Sequence, residues 1–211
     1  MNEDHFYSTR RRFLTVSSAT LLGFIPVFGY AKIIQKLEGK VWINEQQAEL
    51  ATPIKPGDTI TTGADSQIVF IIGEDVYHLG AHSRLRLRWH EDNRFVGLMH
   101  LVSGVFMGAF GAGEKEIQTP ASTIGIRGTG FFFNIHPEST YFCTCYGKTE
   151  IVTTGEQPQR QRVQANHHKA YHISHDRHQP IITPAKMQDH SDEDLIYLES
   201  LTGRQPPASF K

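Results

Sequence analysis

The stretch RLRLRW, from Arg84 to Trp89, alternates strictly between charged and apolar side chains. Alternation with a period of two places the two leucines and Trp89 on one face of a strand and the three arginines on the other. One face then belongs to a core and the other to solvent. This stretch therefore predicts a half-buried β-strand and indicates an all-β domain.

Shorter runs elsewhere carry a similar strand signature. They are residues 40–43, 58–62, 67–72, 76–79, 130–135, 140–145 and 150–153. Glycine, proline and aspartate, as in residues 56–58 and 73–75, supply turns between these runs. Many short strands at nearly regular spacing predict a β-sandwich or a solenoid.

The uncharged segment from Phe95 to Gly113 contains Gly104 and Gly108 in a GxxxG spacing, which in a membrane would suggest helix packing. Its glycines make a poor spanning helix. We predict instead a buried hairpin, with strands at 98–102 and 105–110 and Gly104 as the turn.

The N-terminus has the composition of an export signal. Its key positions are Arg10, Arg11, Phe13 and Leu14, followed by uncharged sequence up to Ala31. This pattern resembles the twin-arginine signal S/T-R-R-x-F-L, which implies that residues 1–31 are a signal peptide, that the twin-arginine translocase is a partner during export, and that the protein is periplasmic. An ordinary secretory signal or an uncleaved membrane anchor remains open, because 19 uncharged residues are long enough to cross a bilayer.

Size and charge narrow the remaining possibilities. The chain has 211 residues, enough for one domain besides an export segment. Its formal net charge of −1 argues against nucleic acid as a partner. No combination of nucleophile, base and acid is recognisable, so we predict no catalytic residues and no enzyme.

Four short motifs between about Ile33 and Val152 resemble the FecR domain family. They are G-x-V at 39–41, GD-x-I-x-TG-x-DS at 57–66, LG-x-x-S at 79–83, and the run TPASTIGIRGT at 119–129, which is similar to the family's TP-A-x-I-x-V-R-GT. The positions that carry the resemblance most directly are Gly57, Asp58, Gly63, Ser66, Arg127, Gly128 and Thr129. The resemblance implies a periplasmic FecR-like β domain over residues 32–153.

The motif residues also have a purely architectural interpretation. Glycine and aspartate form turns, and threonine hydroxyls bond backbone groups at corners. We expect Arg127 to be a structural charge at a corner rather than a substrate clamp.

The sequence departs from the plan of signalling FecR proteins, since only a dozen residues precede the apolar segment, too few for a sigma-binding domain. Iron-siderophore signalling is therefore not carried over. What the resemblance implies is a non-enzymatic interaction, scaffold or sensory domain with an unidentified envelope partner.

Cys143 and Cys145 fall two residues apart in a predicted strand, so their side chains share a face. They can share a metal or act in redox chemistry, form a strained disulfide, or remain two small buried thiols. Histidines crowd the following region, at His167, His168, His172, His175, His178 and His190.

Thiolates and imidazoles together suit zinc or copper. Our candidate metal ligands are Cys143, Cys145, His167 and His168. The alternative is a polar surface loop whose histidines titrate near neutrality. A small metal-binding or redox protein is therefore the second functional hypothesis, and it requires the ligand atoms to converge on one point.

Residues 154–211 are predicted as a His-rich extension that ends in a helix at 191–202. Ser191 and the acids after it are typical of a helix start, and Leu195, Leu198 and Leu201 recur at helical spacing. We expect these leucines to dock on the β domain, with a partner-binding helix as the alternative.

Overall fold

The computed structural model describes residues 33–89, 96–176, 178 and 181–210. The predicted export signal, including Arg10, Arg11, Phe13 and Leu14, lies outside the described residues. The described part is an all-β fold with a short C-terminal helix, which confirms the predicted fold class. In the same part of the chain, no helix has the length and hydrophobicity needed to cross a bilayer.

Fourteen described strands form one sheet. They are β1 (Ile33–Glu38), β2 (Val41–Ile43), β3 (Gln46–Gln47), β4 (Thr59–Thr62), β5 (Gln67–Ile72), β6 (Asp75–Leu79), β7 (Arg84–Trp89), β8 (Val96–Ala109), β9 (Glu114–Gln118), β10 (Ser122–Ile135), β11 (Ser139–Thr153), β12 (Arg160–Ala165), β13 (Lys169–Ser174) and β14 (Ile182–Ala185). The helix α1 (Asp192–Ser200) and a 3-10 turn, η1 (Ala208–Phe210), follow them.

The alternating stretch that indicated the fold class is strand β7, paired with β4 and β8. Leu85 and Leu87 have no exposed surface, whereas Arg84, Arg86 and Arg88 are exposed. The predicted half-buried strand is therefore confirmed, with the leucines in the core and the arginines facing solvent.

The hairpin predicted around Gly104 is wrong. Strand β8 runs unbroken through this residue, pairing with β7 up to Ser103 and then with β6 and β10. Gly104 has a φ of +83°, and a Cβ there would lie 2.5 Å from Ser83. This position requires glycine because β8 bends here and passes close to Ser83, at the point where its pairing changes from β7 to β6 and β10.

Strands β10 and β11 are longer than the sequence runs suggested, and they bend together. The runs at 140–145 and 150–153 are both part of β11, which crosses Gly147 at a φ of +93°. The first half of β11 pairs with β13 and the second half with β12. Strands β12, β13 and β14 of the predicted extension therefore continue the same sheet.

The middle of the sheet is apolar on both faces. Phe131 and Phe133 of β10 belong to one core cluster, while Phe132 between them belongs to a second. Because neighbouring residues of a strand point to opposite faces, the second cluster needs its own cover. Leu195 and Leu198 of α1 supply it and are almost fully buried.

Helix α1 begins where predicted and packs against β6 and β8. Ser191 and Asp194 form a reciprocal capping box at its start. At its end, Glu199 is buried, accepts a hydrogen bond from the Tyr146 hydroxyl and pairs with Arg204 at 2.6 Å. The predicted docking of the leucines is therefore reinforced by a polar contact to the sheet.

A second buried charge pair joins β6 to β9. The Lys115 ammonium lies 3.1 Å from a carboxylate oxygen of Asp75, and both side chains are less than a tenth exposed. The backbone N–H of Gly111 also donates to this carboxylate at 3.0 Å. Burial raises the pKa of Asp75, against the lowering effect of Lys115.

Candidate functional site

The first group of FecR-like motif residues forms turns. Asp58 accepts hydrogen bonds from the Asn44 side chain and the Lys55 backbone, each at 2.6 Å, next to Gly57, whose φ is +93°. Gly63 donates its N–H to the Lys40 carbonyl at 2.9 Å, and Ser66 accepts the Lys40 N–H at 2.8 Å. These contacts join one turn to the next.

The second group lies where β10 bends. Thr129 is buried and donates its hydroxyl to the carbonyls of Arg127 and Lys148. Arg127 points to solvent, with two thirds of its side chain exposed, and pairs with Glu114 of β9. Gly128 occupies a φ of +54°. An exposed pair of this kind contributes at most about 1 kcal/mol. Thr129 and Gly128 shape the bend of the strand, while Arg127 and Glu114 lie along a surface groove.

The two cysteines share one face of β11, as their spacing predicted. This is the face that α1 covers, and neither cysteine has exposed surface. Both are free thiols, with their sulfur atoms 3.9 Å apart.

Two histidines bring ring nitrogens to the thiols. The backbone N–H of His168 donates to the Cys145 carbonyl at 2.8 Å, which places the β12–β13 turn beside the cysteines. Its Nδ1 then lies 3.5 Å from Sγ of Cys143. The Nε2 of His190 lies 3.5 Å from Sγ of Cys145 and 3.2 Å from Nδ1 of His168. All four donor atoms lie within 4.8 Å of one another.

His167, one of the four candidate ligands, lies outside this four-donor cluster. Its ring is 44 % exposed, packs on Phe210, and bonds one carboxylate oxygen of Asp192 at 2.9 Å. The fourth donor is instead His190, directly before the capping residue of α1. No spacing motif in the sequence connects His190 to the cysteines, which is why sequence reasoning missed it.

The remaining histidines of the region also lie elsewhere. His175 bonds the Thr140 hydroxyl at 2.9 Å, His178 lies 3.4 Å from Glu156, and His172 packs against the Tyr141 ring. The histidine-rich composition therefore contributes two residues to the cluster, and the others make separate local contacts.

In each imidazole of the cluster, the nitrogen that faces away from the thiols, here called the outer nitrogen, is hydrogen-bonded to an oxygen. Nε2 of His168 bonds Oδ1 of Asp192 at 2.7 Å, and Nδ1 of His190 bonds the Gln188 carbonyl at 2.7 Å. Carboxylate and carbonyl oxygens only accept hydrogen bonds, so the outer nitrogens carry the protons. In neutral rings, the inner nitrogens then present lone pairs to the thiols.

The electrostatics of the cluster favour one thiolate. Hydrogen bonding from Cys145, helped by both imidazoles, lowers the pKa of Cys143 to about 4 even though burial opposes the shift. Burial raises the pKa of Cys145, and the neighbouring Cys143 adds to the rise. Burial acts to lower the pKa of His168, but its bonds to Cys143 and Asp192 raise it overall.

Aromatic side chains surround the cluster. The His190 ring stacks on Phe132 with ring centres 4.4 Å apart, and Tyr141 and Phe210 lie close by. The site is therefore a mainly buried set of two sulfur and two nitrogen donors. Such a donor set can hold a zinc or copper ion, or undergo thiol redox chemistry.

Comparison with known proteins finds likeness at the level of the fold. Neither a family model nor a curated protein matches the chain. Two solved structures from Parabacteroides distasonis ATCC 8503, each described as a "putative anti-sigma factor", share its architecture. The 1.65 Å structure has a TM-score of 0.51 and 14 % identity over 67 % of this chain, and the 2.50 Å structure has 0.50 and 12 % over 68 %.

The match covers 64 % of the first neighbour's length and 73 % of the second's. At this level of identity the likeness establishes a shared fold. Roles of the neighbours' residues are therefore not transferred to this chain.

Proposed function

We propose that this chain is a non-enzymatic regulatory module that acts in the periplasm by binding an envelope protein. The single observation that carries the proposal is its sheet, which is shared over two thirds of the chain with the two anti-sigma-like structures. The FecR-like motifs support the same assignment, because their residues form the turns and bends of that sheet. Fold likeness alone does not define a function, so the module and its partner require direct tests.

A groove in the described part of the chain supports a non-enzymatic role. It has a volume of about 1040 Å³ and is lined by residues of β8 to β12, with carboxylates and cations in alternation. Glu150 bonds Arg160 and Arg162 there, and hydrogen bonding from Arg162 lowers its pKa. A carboxylate held ionised by two arginines is a poor general acid or base at neutral pH.

The export route is part of the proposal. Arg10 and Arg11, with Phe13 and Leu14, match the twin-arginine pattern, and this route carries proteins that have already folded. The sheet has pairings between segments distant in sequence, such as β1 with β5 and β6 with β8. Such a topology folds more slowly than one built from local contacts, which suits transport after folding.

The test uses the full chain in a bacterium with an active twin-arginine system. We expect wild type in the periplasmic or inner-membrane fraction, and an Arg10→Lys, Arg11→Lys double variant in the cytoplasm. In-cell cross-linking followed by mass spectrometry should give a discrete envelope partner for wild type and lose it for the double variant. Equal fractionation of both proteins contradicts twin-arginine export, and exported wild type without a discrete cross-linked partner contradicts the interaction role.

A further inference from the structure

We infer that Cys143, Cys145, His168 and His190 form a closed zinc site that fastens the C-terminal segment to the sheet. This inference goes beyond the proposed function, since export and partner binding do not depend on it. It rests on the arrangement of donor atoms, on the groups that orient them, and on the segments from which they come.

The separations of the donor atoms match those around a tetrahedral zinc ion. Zinc lies about 2.3 Å from sulfur and about 2.0–2.1 Å from nitrogen. A regular tetrahedron with these radii separates two sulfurs by about 3.8 Å, sulfur from nitrogen by about 3.6 Å, and two nitrogens by about 3.3 Å. Four of the six separations here are 3.9 Å between the sulfurs, 3.5 Å for two sulfur–nitrogen pairs and 3.2 Å between the nitrogens, and the two other sulfur–nitrogen pairs lie within 4.8 Å.

The orientation of the imidazoles supports the same site. Histidine ligands of metals commonly donate their outer N–H to a carboxylate or carbonyl oxygen. Asp192 and Gln188 supply these two acceptors, each at 2.7 Å. Both inner nitrogens then lie 3.2 Å apart as lone-pair acceptors, which is unfavourable unless a metal ion or a proton lies between them.

A competing arrangement places a proton, not a metal, in the cluster. A protonated His168 would then pair with a thiolate of Cys143, 3.5 Å away. In that arrangement Cys145 stays a neutral thiol that donates to Cys143, 3.9 Å away, and only two of the four donors carry a charge. The tetrahedral separations favour an ion that binds all four donors.

The ligand chemistry selects zinc with a structural role. Two sulfur and two nitrogen donors in a tetrahedron are typical of zinc, and two thiolates balance its charge. As the ion binds, the thiol protons pass to solvent. Four protein ligands fill the coordination shell, so no position remains for a substrate or catalytic water.

The ligands come from three separate parts of the chain. Cys143 and Cys145 lie on β11, His168 in the β12–β13 turn, and His190 in the segment before α1. Cys145 and His190 are 45 residues apart, and the helix that follows His190 covers the second core cluster. A bound ion would therefore fasten the helical cover to the strand beneath it.

The experiment is metal analysis of the full chain, purified under reducing conditions after incubation with equimolar zinc. Wild type should hold one zinc per chain, and cobalt substituted for zinc should give the absorption of a tetrahedral ion with thiolate-to-metal charge transfer. The cobalt spectrum reports thiolate ligation in wild type itself, so the test does not depend on whether variants fold.

Matched variants then assign the ligands. Cys145→Ser and His190→Gln should weaken zinc binding more than 100-fold, and Asp192→Asn by about 10–100-fold, the usual effect of losing an outer partner. His178→Gln is the control, because this exposed ring lies beside Glu156 and outside the donor cluster, and the variant should bind zinc like wild type. Metal-free wild type would overturn the inference. Unchanged binding by a folded His190→Gln protein would also overturn it.

Discussion

Removing the inferred zinc ion should release helix α1 while leaving the far end of the sheet intact. The ion would join Cys145 to His190 across 45 residues, and α1 follows His190 directly. Leu195 and Leu198 remain as the apolar contacts of the helix, each contributing about 1.5–3 kcal/mol of burial energy before the entropy of ordering the segment is subtracted. Without the ion, the helix should therefore open frequently.

Two independent routes give the size of the effect. In the chain-entropy model for cross-links, closing a 45-residue loop lowers the conformational entropy of the unlinked chain, which stabilises the linked structure by about 4 kcal/mol. Mass action gives about 4 kcal/mol when free zinc exceeds its dissociation constant a thousandfold. Both describe the same stabilisation and are not added. Since about 1.4 kcal/mol is a factor of ten, opening of α1 should increase roughly a thousandfold.

The assay is hydrogen exchange of the full chain, read by mass spectrometry with zinc or with a chelator under reducing conditions. Amides of α1 should exchange roughly a thousandfold faster after chelation. Peptides from β2 and β4, whose buried residues belong to the other core cluster, serve as the internal reference and should be unaffected, and the His178→Gln protein should respond like wild type. If metal analysis shows that zinc has been removed and α1 still exchanges at its original rate, the ion does not fasten the helix.

Three further predictions concern stability, each measured as the free energy of unfolding in urea. Glu199→Gln should cost about 1.5–3 kcal/mol, because it leaves a guanidinium and a phenol hydroxyl without their charged acceptor; a cost near zero would contradict the contact described. Gly104→Ala should cost more than Gly203→Ala, since both glycines have positive φ but only the first would place a Cβ against a neighbour; equal costs would show that β8 does not pass Ser83 closely. Asp75→Asn should cost about 3–5 kcal/mol by leaving Lys115 buried without a counter-charge, and adding Lys115→Met should restore part of the lost stability. Strictly additive costs of the two substitutions would show that Asp75 and Lys115 do not interact.

The export proposal and the zinc inference support each other. Thiols exposed to the periplasm tend to oxidise, and Cys143 and Cys145 have sulfur atoms only 3.9 Å apart. A protein that folds before transport can bury these thiols while they are still reduced. A bound ion would then keep them as ligands in the oxidising compartment.

The local features of this protein follow from its sequence. The alternation at Arg84–Trp89 produces a half-buried strand because a period of two matches the pleat of a sheet, whatever lies beside it. The helix start at Ser191 follows from a capping box closed within four residues. The shared face of Cys143 and Cys145 follows from their spacing in a strand. Each of these features depends on neighbours in the chain.

Only the tertiary structure decided how distant segments meet. Gly104 suits either a hairpin turn or a bend within a strand, and the choice depends on how β8 exchanges β7 for β6 and β10. The adjacent His167 and His168 look equivalent in sequence, yet the β12–β13 turn directs only His168 to the thiols. His190 reaches Cys145 because α1 folds back over a sheet that is apolar on both faces. Composition and spacing do not encode such long-range contacts, which arise from burying the second core cluster.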